Sequence, residues 1–526
     1  MARKAHEPEI VSIAKAVSHH LKGESEAALK ELEDAIQSGA GSADVYGARG
    51  HLELELQRYE AALQSYAKAL ELEPGVTKIC FNIGLALQNL GKPAEAIEQF
   101  QKALAADPNL TDARLSIGLC TLHLKKYAEA IEIIDQYLRA YPNHEAALFG
   151  KAVALQLLWR FDEAKAVYTR LLELNPKSEE SLLNMISLGL QQKDYDTLRK
   201  CSEQLLALQP DHQVALEALG AAAFASGDIE TAQKLCLKLT QLAPQVFDHW
   251  FNLGVAYQRQ GNVNDAVQAY LRARSIRPDV AHAHIQLGGL YQELGDLANA
   301  RTSFEQAIRV APDRVDLKYQ LAWILEQQGE TEEAEKLYVE VVAASPDLED
   351  AQFRLGYLRL RRGDFENSAD AFCACLRKRG DWREAELNLA MAYWKQKNHA
   401  GAQEVLERLL EREPDCIEAL RGLAAIAMDR DNSAAALEYH SRLQRLGEKT
   451  PEILYNSALL SQRLGKNQEA ITLYRAALAE KPDFPEAMLN LGHALKAIGK
   501  DDEARACWIP AIGAKPELAA GYFQQA

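Results

Sequence analysis

The chain has 526 residues, 48% of them hydrophobic, and its 59 Lys and Arg against 75 Asp and Glu give a net charge of −16. That balance argues against nucleic acid or an anionic membrane as partner, since both select basic surfaces, and no stretch reaches the roughly 18 consecutive apolar residues of a membrane span. Eight cysteines are scattered without a framework, and Arg3 and Lys4 have no apolar run behind them, so the expected setting is reducing and cytoplasmic.

Read along the chain, proline keeps a metre of 34 residues. It falls at Pro74, Pro108, Pro142, Pro176, Pro210, Pro244, Pro278, Pro312, Pro346, Pro414, Pro482 and Pro516. Gly380 and Glu448 stand at the two empty points, and no residue is inserted or deleted over 442 residues. Such a metre belongs to a stack of like units, each presenting the same faces to its neighbours. Fifteen units follow. The first, degenerate, starts at 9 within an N-terminal segment 1–42. A continuous array over 43–518 has units starting at 43, 77, 111, 145, 179, 213, 247, 281, 315, 349, 383, 417, 451 and 485.

Unit 247–280 states the pattern. Trp250, Gly254 and Tyr257 recur at i, i+4, i+7 on one helix face. Gly261 stops that helix. Ala266, Tyr270 and Ala273 repeat the spacing on a second helix, which Pro278 ends. Small residues mark where two helix backbones approach, and the aromatics fill the adjacent holes. Counting positions from the first residue of each unit, position 8 is Gly or Ala in fourteen of fifteen and position 20 is Ala in thirteen. These residues are the signature of the tetratricopeptide repeat, which the chain resembles over nearly its whole length. The resemblance implies an all-α, right-handed α-α superhelix of about fifteen helix-turn-helix repeats, with the first helix of each lining a concave groove.

Departures carry expectations of their own. Unit 179–212 has Ile186 and Leu198 where small residues belong and Ser202 where an aromatic belongs, so its helices either repack or form a weak joint. Pro510 is expected to kink the last second helix. Residues 519–526 read as a short cap or the start of a continuation.

The groove stripe can be read from the register. Position 5 is apolar or aromatic in eleven of the thirteen units from 77 on; the exceptions are Glu217 and Arg421. This stripe either packs against the adjoining helix or faces the groove. Tyr319, Trp323, Phe353, Tyr357, Leu387, Met391 and Trp394 concentrate within units 315–416, rimmed by Arg354, Arg361 and Lys395. Aromatics with methionine are the composition of protein–protein hot spots. The expected partner is a protein or extended peptide with aromatic or aliphatic anchors and acidic residues. Burying half of five such rings, roughly 100 Å² each, gives about 12 kcal/mol at ~25 cal/mol per Å². Association costs of ~4–15 kcal/mol leave micromolar affinity.

Position 6 carries Asn82, Asn184, Asn252, Asn388, Asn456 and Asn490. An amide offers donor and acceptor together and suits a peptide backbone. The row, interrupted by Ser116, Gly150 and others, resembles the asparagine ladder in the groove of O-linked N-acetylglucosamine transferase. The resemblance implies a second reading, the substrate-recruiting arm of a larger glycosyltransferase. A third is self-association through the ends. Lys78 and Asn82 match the start of the two-carboxylate clamp of chaperone adaptors, but Asp112 and Ser116 break it. Acids at position 2 are explained by the helix dipole.

No catalysis, cofactor or metal is expected. Cys373 and Cys375, His282 and His284, and His19 and His20 lack ligand spacing, and no phosphate loop, nucleophile elbow or HExxH is present. The reading is a non-catalytic interaction scaffold or adaptor.

Overall fold

The computed structural model of the protein describes residues 7–74 and 77–520. The basic residues Arg3 and Lys4 and most of the segment 519–526 lie outside the described residues. Within them are thirty α-helices and two short 3-10 turns, with no strand. The helices form fifteen consecutive pairs. The chain divides into two compact units, residues 1–276 and 277–526. The first holds the helix pairs of the eight repeats from 9 to 247, the second those of the seven repeats from 281 to 485. In each unit a helix packs on the next along the chain, an all-α repeat architecture.

The proline metre sets the helix boundaries. The first helix opens on the first residue of the repeat in thirteen of the fifteen, as in Phe247–Arg259, and the second opens at position 17 in all fifteen, as in Val263–Ile276. The residue at position 15 between them has positive φ in every repeat. Nine are glycine, for which that region is free; Gln57, Lys125, Trp159, Lys193, Lys397 and Asp431 are not.

Inside a repeat, position 8 lies against position 24. A Cβ on Gly254 would sit 2.7 Å from the Tyr270 ring, and one on Gly288 2.8 Å from the Phe304 ring. Four of the fully buried tyrosines of position 24 have a repeated partner at position 12; Tyr66, whose repeat has Leu54 there, does not. Tyr168, Tyr270, Tyr338 and Tyr474 donate their hydroxyls to Gln156, Gln258, Glu326 and Gln462 at 2.9–3.2 Å. The bond satisfies a hydroxyl that would otherwise be stranded in the core.

The departures of repeat 179 compensate one another. Ile186 at position 8 and Leu198 at position 20 are large, while Ser202 at position 24 and Gly189 at position 11 are small. Ile186, Leu198 and Ser202 are all buried, and a Cβ on Gly189 would meet the Leu198 side chain at 3.2 Å. The order of large and small is inverted and the core stays closed. Ser368, where alanine belongs at position 20, is buried with its hydroxyl donating to the Gly356 carbonyl at 2.8 Å. Trp250 is half-buried, its indole N–H on the Pro244 carbonyl at 3.0 Å. Pro510, where a kink is expected, lies inside the α-helix Asp501–Ala514, which continues through it.

One of the two gaps in the metre has a local cause. Glu448 follows Gly447, whose φ is +94°, and donates its backbone N–H to the Leu443 carbonyl at 3.0 Å. A glycine cap closes this helix, and it needs an amide proton that proline lacks. At the other gap, the Gly380 carbonyl accepts from Arg412 at 3.1 Å.

Candidate functional site: clefts along the first helices

The aromatic residues of position 5 rest on the ring at position 24 of their own repeat. Ring centroids lie 5.6 Å apart for Phe81 and Phe100, 6.1 Å for Phe149 and Tyr168, and 5.3 Å for Phe251 and Tyr270. In the second unit the values are 5.8 Å for Tyr319 and Tyr338, 5.7 Å for Phe353 and Phe372, and 5.9 Å for Tyr455 and Tyr474. Much of the position 5 stripe is therefore core, held by the second helix rather than the adjoining first helix. Burial raises the Tyr319 phenol above its ordinary range.

Position 34, which the pattern of the sequence did not single out, adds to this layer. Trp382 stacks on Phe353 at 4.5 Å and Phe484 lies on Tyr455 at 4.9 Å. A cation covers each: Arg379 is 4.8 Å from the Trp382 ring and Lys481 4.9 Å from the Phe484 ring. The recurrence of an aromatic three residues after a basic residue, at positions 34 and 31, was the available signal.

Of the predicted groove residues, Trp323 and Tyr357 are half-buried, packed against hydrophobic core. The basic rim is only partly a rim. Arg354 turns inward and donates to Glu326 at 3.2 Å, because that carboxylate, 9% exposed, needs a cation. Arg361 stays exposed, 6.0 Å from the Tyr357 ring, and Lys395 lies 4.9 Å over Trp394. Leu387, Met391 and Trp394 come together with Asn388, Arg421 and Ile426 in a cleft of about 410 Å³ between the first helices of repeats 383 and 417. Met391 is its most exposed apolar wall, at 42%. Trp394 is oriented by a bond from its indole N–H to Asp429 at 2.6 Å.

At this cleft the residues at positions 5 and 24 of repeat 383 are Leu387 and Leu406, and repeat 417 presents Arg421 and Gly422 at positions 5 and 6. Repeat 417 also lacks the pair of phenyl or phenol rings, with Arg421 at position 5 and His440 at position 24. Arg421 donates to Glu448. A second cleft of about 400 Å³ continues from Arg421 and Ala425 toward Thr450 and Asn456, with His440 in its wall. His440 is buried, neither ring nitrogen has a partner, and burial holds its pKa below the ordinary 6.5.

Repeat 213 breaks the same pair in the first unit. Position 24 is Cys236 and position 5 is Glu217, and a cleft of about 540 Å³ opens between the first helices of repeats 213 and 247. Its walls include Phe224, Asp248, His249, Asn252 and Arg259.

The asparagine row is largely turned onto the chain itself. The amides of Asn184 and Asn388 donate to the Glu180 and Glu384 carbonyls at 3.0 and 2.8 Å, and Asn490 donates to the Tyr455 hydroxyl at 2.9 Å. Asn82 lies beside the Tyr66 hydroxyl. Asn252 and Asn456 line clefts.

No group of three or more metal-type ligands occurs among the described residues. Cys375 is buried, its thiol pushed up to about 12 by desolvation, and Cys373 contacts the Tyr393 hydroxyl at 3.4 Å. His19 pairs with Glu24 at 2.6 Å and His284 with the Pro278 carbonyl at 3.1 Å. No helix among the described residues is long and apolar enough to cross a membrane.

Helix pairs on a fixed metre, with small and aromatic residues at paired positions, define a helical-repeat protein of the solenoid class. Models of the tetratricopeptide repeat match residues 43–75, 81–145, 146–178, 245–313, 285–349, 387–451 and 463–520, together more than half of the chain. The chain belongs to the tetratricopeptide-repeat family. No curated protein sequence matches it. Among solved structures it is similar to YrrB, described as a TPR protein with an unusual peptide-binding site, at 20% identity over 35% of this chain and 96% of that one, with a TM-score of 0.33. The Cut9–Hcn1 hetero-tetramer of the APC/C is similar at 15% identity over 88% and 98%, TM-score 0.30. A tetratricopeptide repeat protein from Parabacteroides merdae is similar at 15% identity over 47% and 98%, TM-score 0.33.

Proposed function

We propose that the protein is a non-catalytic interaction scaffold that holds an extended peptide or partner segment along the first helices of repeats 315 to 417. The observation that carries this is the cleft walled by Leu387, Met391, Trp394 and Ile426, apolar and open beside an already oriented indole. An aromatic or branched side chain entering it is shielded from water on several sides, the condition under which one anchor dominates binding. Exposed Arg361 and Lys395 favour acidic residues beside the anchor. The alternative, a recruiting arm of a glycosyltransferase-type enzyme, rests on the asparagine row. The outward turn of Asn252 and Asn456 supports it less than the engaged amides of Asn184, Asn388 and Asn490 count against it.

Co-purification from the native host tests the site. Met391→Glu with Trp394→Ala is expected to lose the partner that wild type retains, while Glu366→Ala on an exposed second-helix face keeps it. Equal recovery with both variants sinks the assignment.

A further inference from the structure

The cleft of the first unit carries the opposite chemistry. Glu217 is the only acid at position 5 in the fifteen repeats. The ring that would cover it is replaced by Cys236, and the space stays open: a Cβ on Gly220, at position 8, would meet nothing within 4 Å, where the equivalent atom on Gly254 would strike a tyrosine. The missing ring and the charged residue thus occur together, on the same wall of one cavity of about 540 Å³.

Two carboxylates, Glu217 and Asp248, line this cavity together with the polar Tyr195 and Asn252 and the cation Arg259. Glu217 is about half exposed, and its Oε1 lies 2.8 Å from His249 Nε2. A ring nitrogen that faces a carboxylate is the donor, so Nε2–H is directed at Glu217. His249 is 3% exposed and its Nδ1 has no hydrogen-bond partner. Asp248, the neighbouring residue, is exposed on the first turn of the same helix. Among the described residues neither Glu217 nor Asp248 is paired with a lysine or arginine. Arg259 lines the same cavity but lies 5.6 Å from the Phe224 ring, away from ion-pair distance of either carboxylate. It shows that this wall accepts a guanidinium on an aromatic face, and it leaves the acceptors unfilled.

The geometry points to this cleft as the seat of an arginine side chain projected by an extended segment of a partner protein, its guanidinium placed between Glu217 and Asp248. Five donors in a planar fork match two carboxylates, and charge-assisted bonds of this kind are about twice as strong as neutral ones. A lysine supplies the charge without the fork or the stacking. The site is independent of the apolar cleft of repeats 383 and 417, and either can stand without the other.

The full chain, labelled with 15N-histidine, is titrated with Ac-Gly-Ala-Arg-Ala-Gly-NH2 and with the same peptide carrying citrulline, lysine or glutamate at the third residue. The His249 ring signal is the readout. The arginine peptide is expected to shift it saturably, the isosteric citrulline peptide to bind at least tenfold more weakly, and added salt to weaken binding. Glu217→Gln with Asp248→Asn is expected to lose tenfold, with an unchanged thermal melt. Because the whole chain is acidic, Glu60→Gln with Glu98→Gln, exposed acids of repeats 43 and 77, serves as control and is expected to bind as wild type. No saturable shift, equal affinity for citrulline, tighter binding of the lysine or glutamate peptide, or an equal loss in the control overturns the proposal.

Discussion

Arg421 donates to the carboxylate of Glu448, joining the only basic residue at position 5 to one of the two residues that interrupt the proline metre. Two departures that look unrelated along the chain are one contact in space. The backbone of Glu448 matters as well, since its N–H closes the glycine cap after Arg445. Restoring the metre should therefore harm the protein. Glu448→Pro removes a backbone hydrogen bond and restricts Gly447, at a cost of about 1–2 kcal/mol, read from urea unfolding. Stabilisation by the variant would show that the cap is dispensable.

Position 8 offers a graded test. Ala152, Ala322 and Ala458 occupy it opposite Tyr168, Tyr338 and Tyr474, so a methyl there is tolerated. Gly254→Ala is expected to be near neutral, the ~1 kcal/mol gain in helix propensity offsetting a small shift of Tyr270. Gly254→Val overfills the same contact and is expected to cost about 1–3 kcal/mol. Equal midpoints in thermal melts of the two variants would contradict the packing described.

Glu386 is fully buried at position 4 and held by Arg412, with Arg408 at 3.7 Å. Arg412→Met leaves a buried charge short of its partner and is expected to destabilise by up to about 3–5 kcal/mol, less to the extent that Arg408 compensates. Glu386→Leu in the same chain removes the stranded charge. The double variant should recover most of the loss, and a double-mutant cycle in urea measures it. Additive losses would mean that the pair is not coupled.

His440 gives the second unit a dependence on pH. Burial lowers its folded-state pKa below 6.5, so the folded state binds the proton less well than the unfolded chain. Its neutral form supports folding above pH 6.5, and that support is lost as pH falls from there toward the lowered value. His440→Phe, which places there the non-titrating ring that Phe100, Phe304 and Phe372 supply at position 24, should flatten the fall in melting temperature below neutrality. An unchanged slope would point to other groups, of which His493, also lowered by burial, is the first to check.

The helices were legible because the metre is a backbone property. Pro278 and Gly261 each act on their own segment, and counting from them places Phe247–Arg259 and Val263–Ile276 correctly. The clefts were less legible. A helical face says which way Phe353 points but not that Trp382, arriving from the loop 29 residues later, covers it. The inward turn of Arg354 depends on a partner, Glu326, in the preceding repeat. Glu217 and Arg421 were visible as exceptions. That each coincides with a residue other than Phe, Tyr or Trp at position 24, Cys236 and His440, becomes meaningful only once positions 5 and 24 are known to touch.

The contact between positions 5 and 24 lies wholly within one repeat. In repeat 213 that pair is Glu217 and Cys236, and the chamber beside it is shared with the first helix of repeat 247. Side chains internal to one repeat thus shape a wall that the next repeat completes, while the helix boundaries set by the metre stay in place.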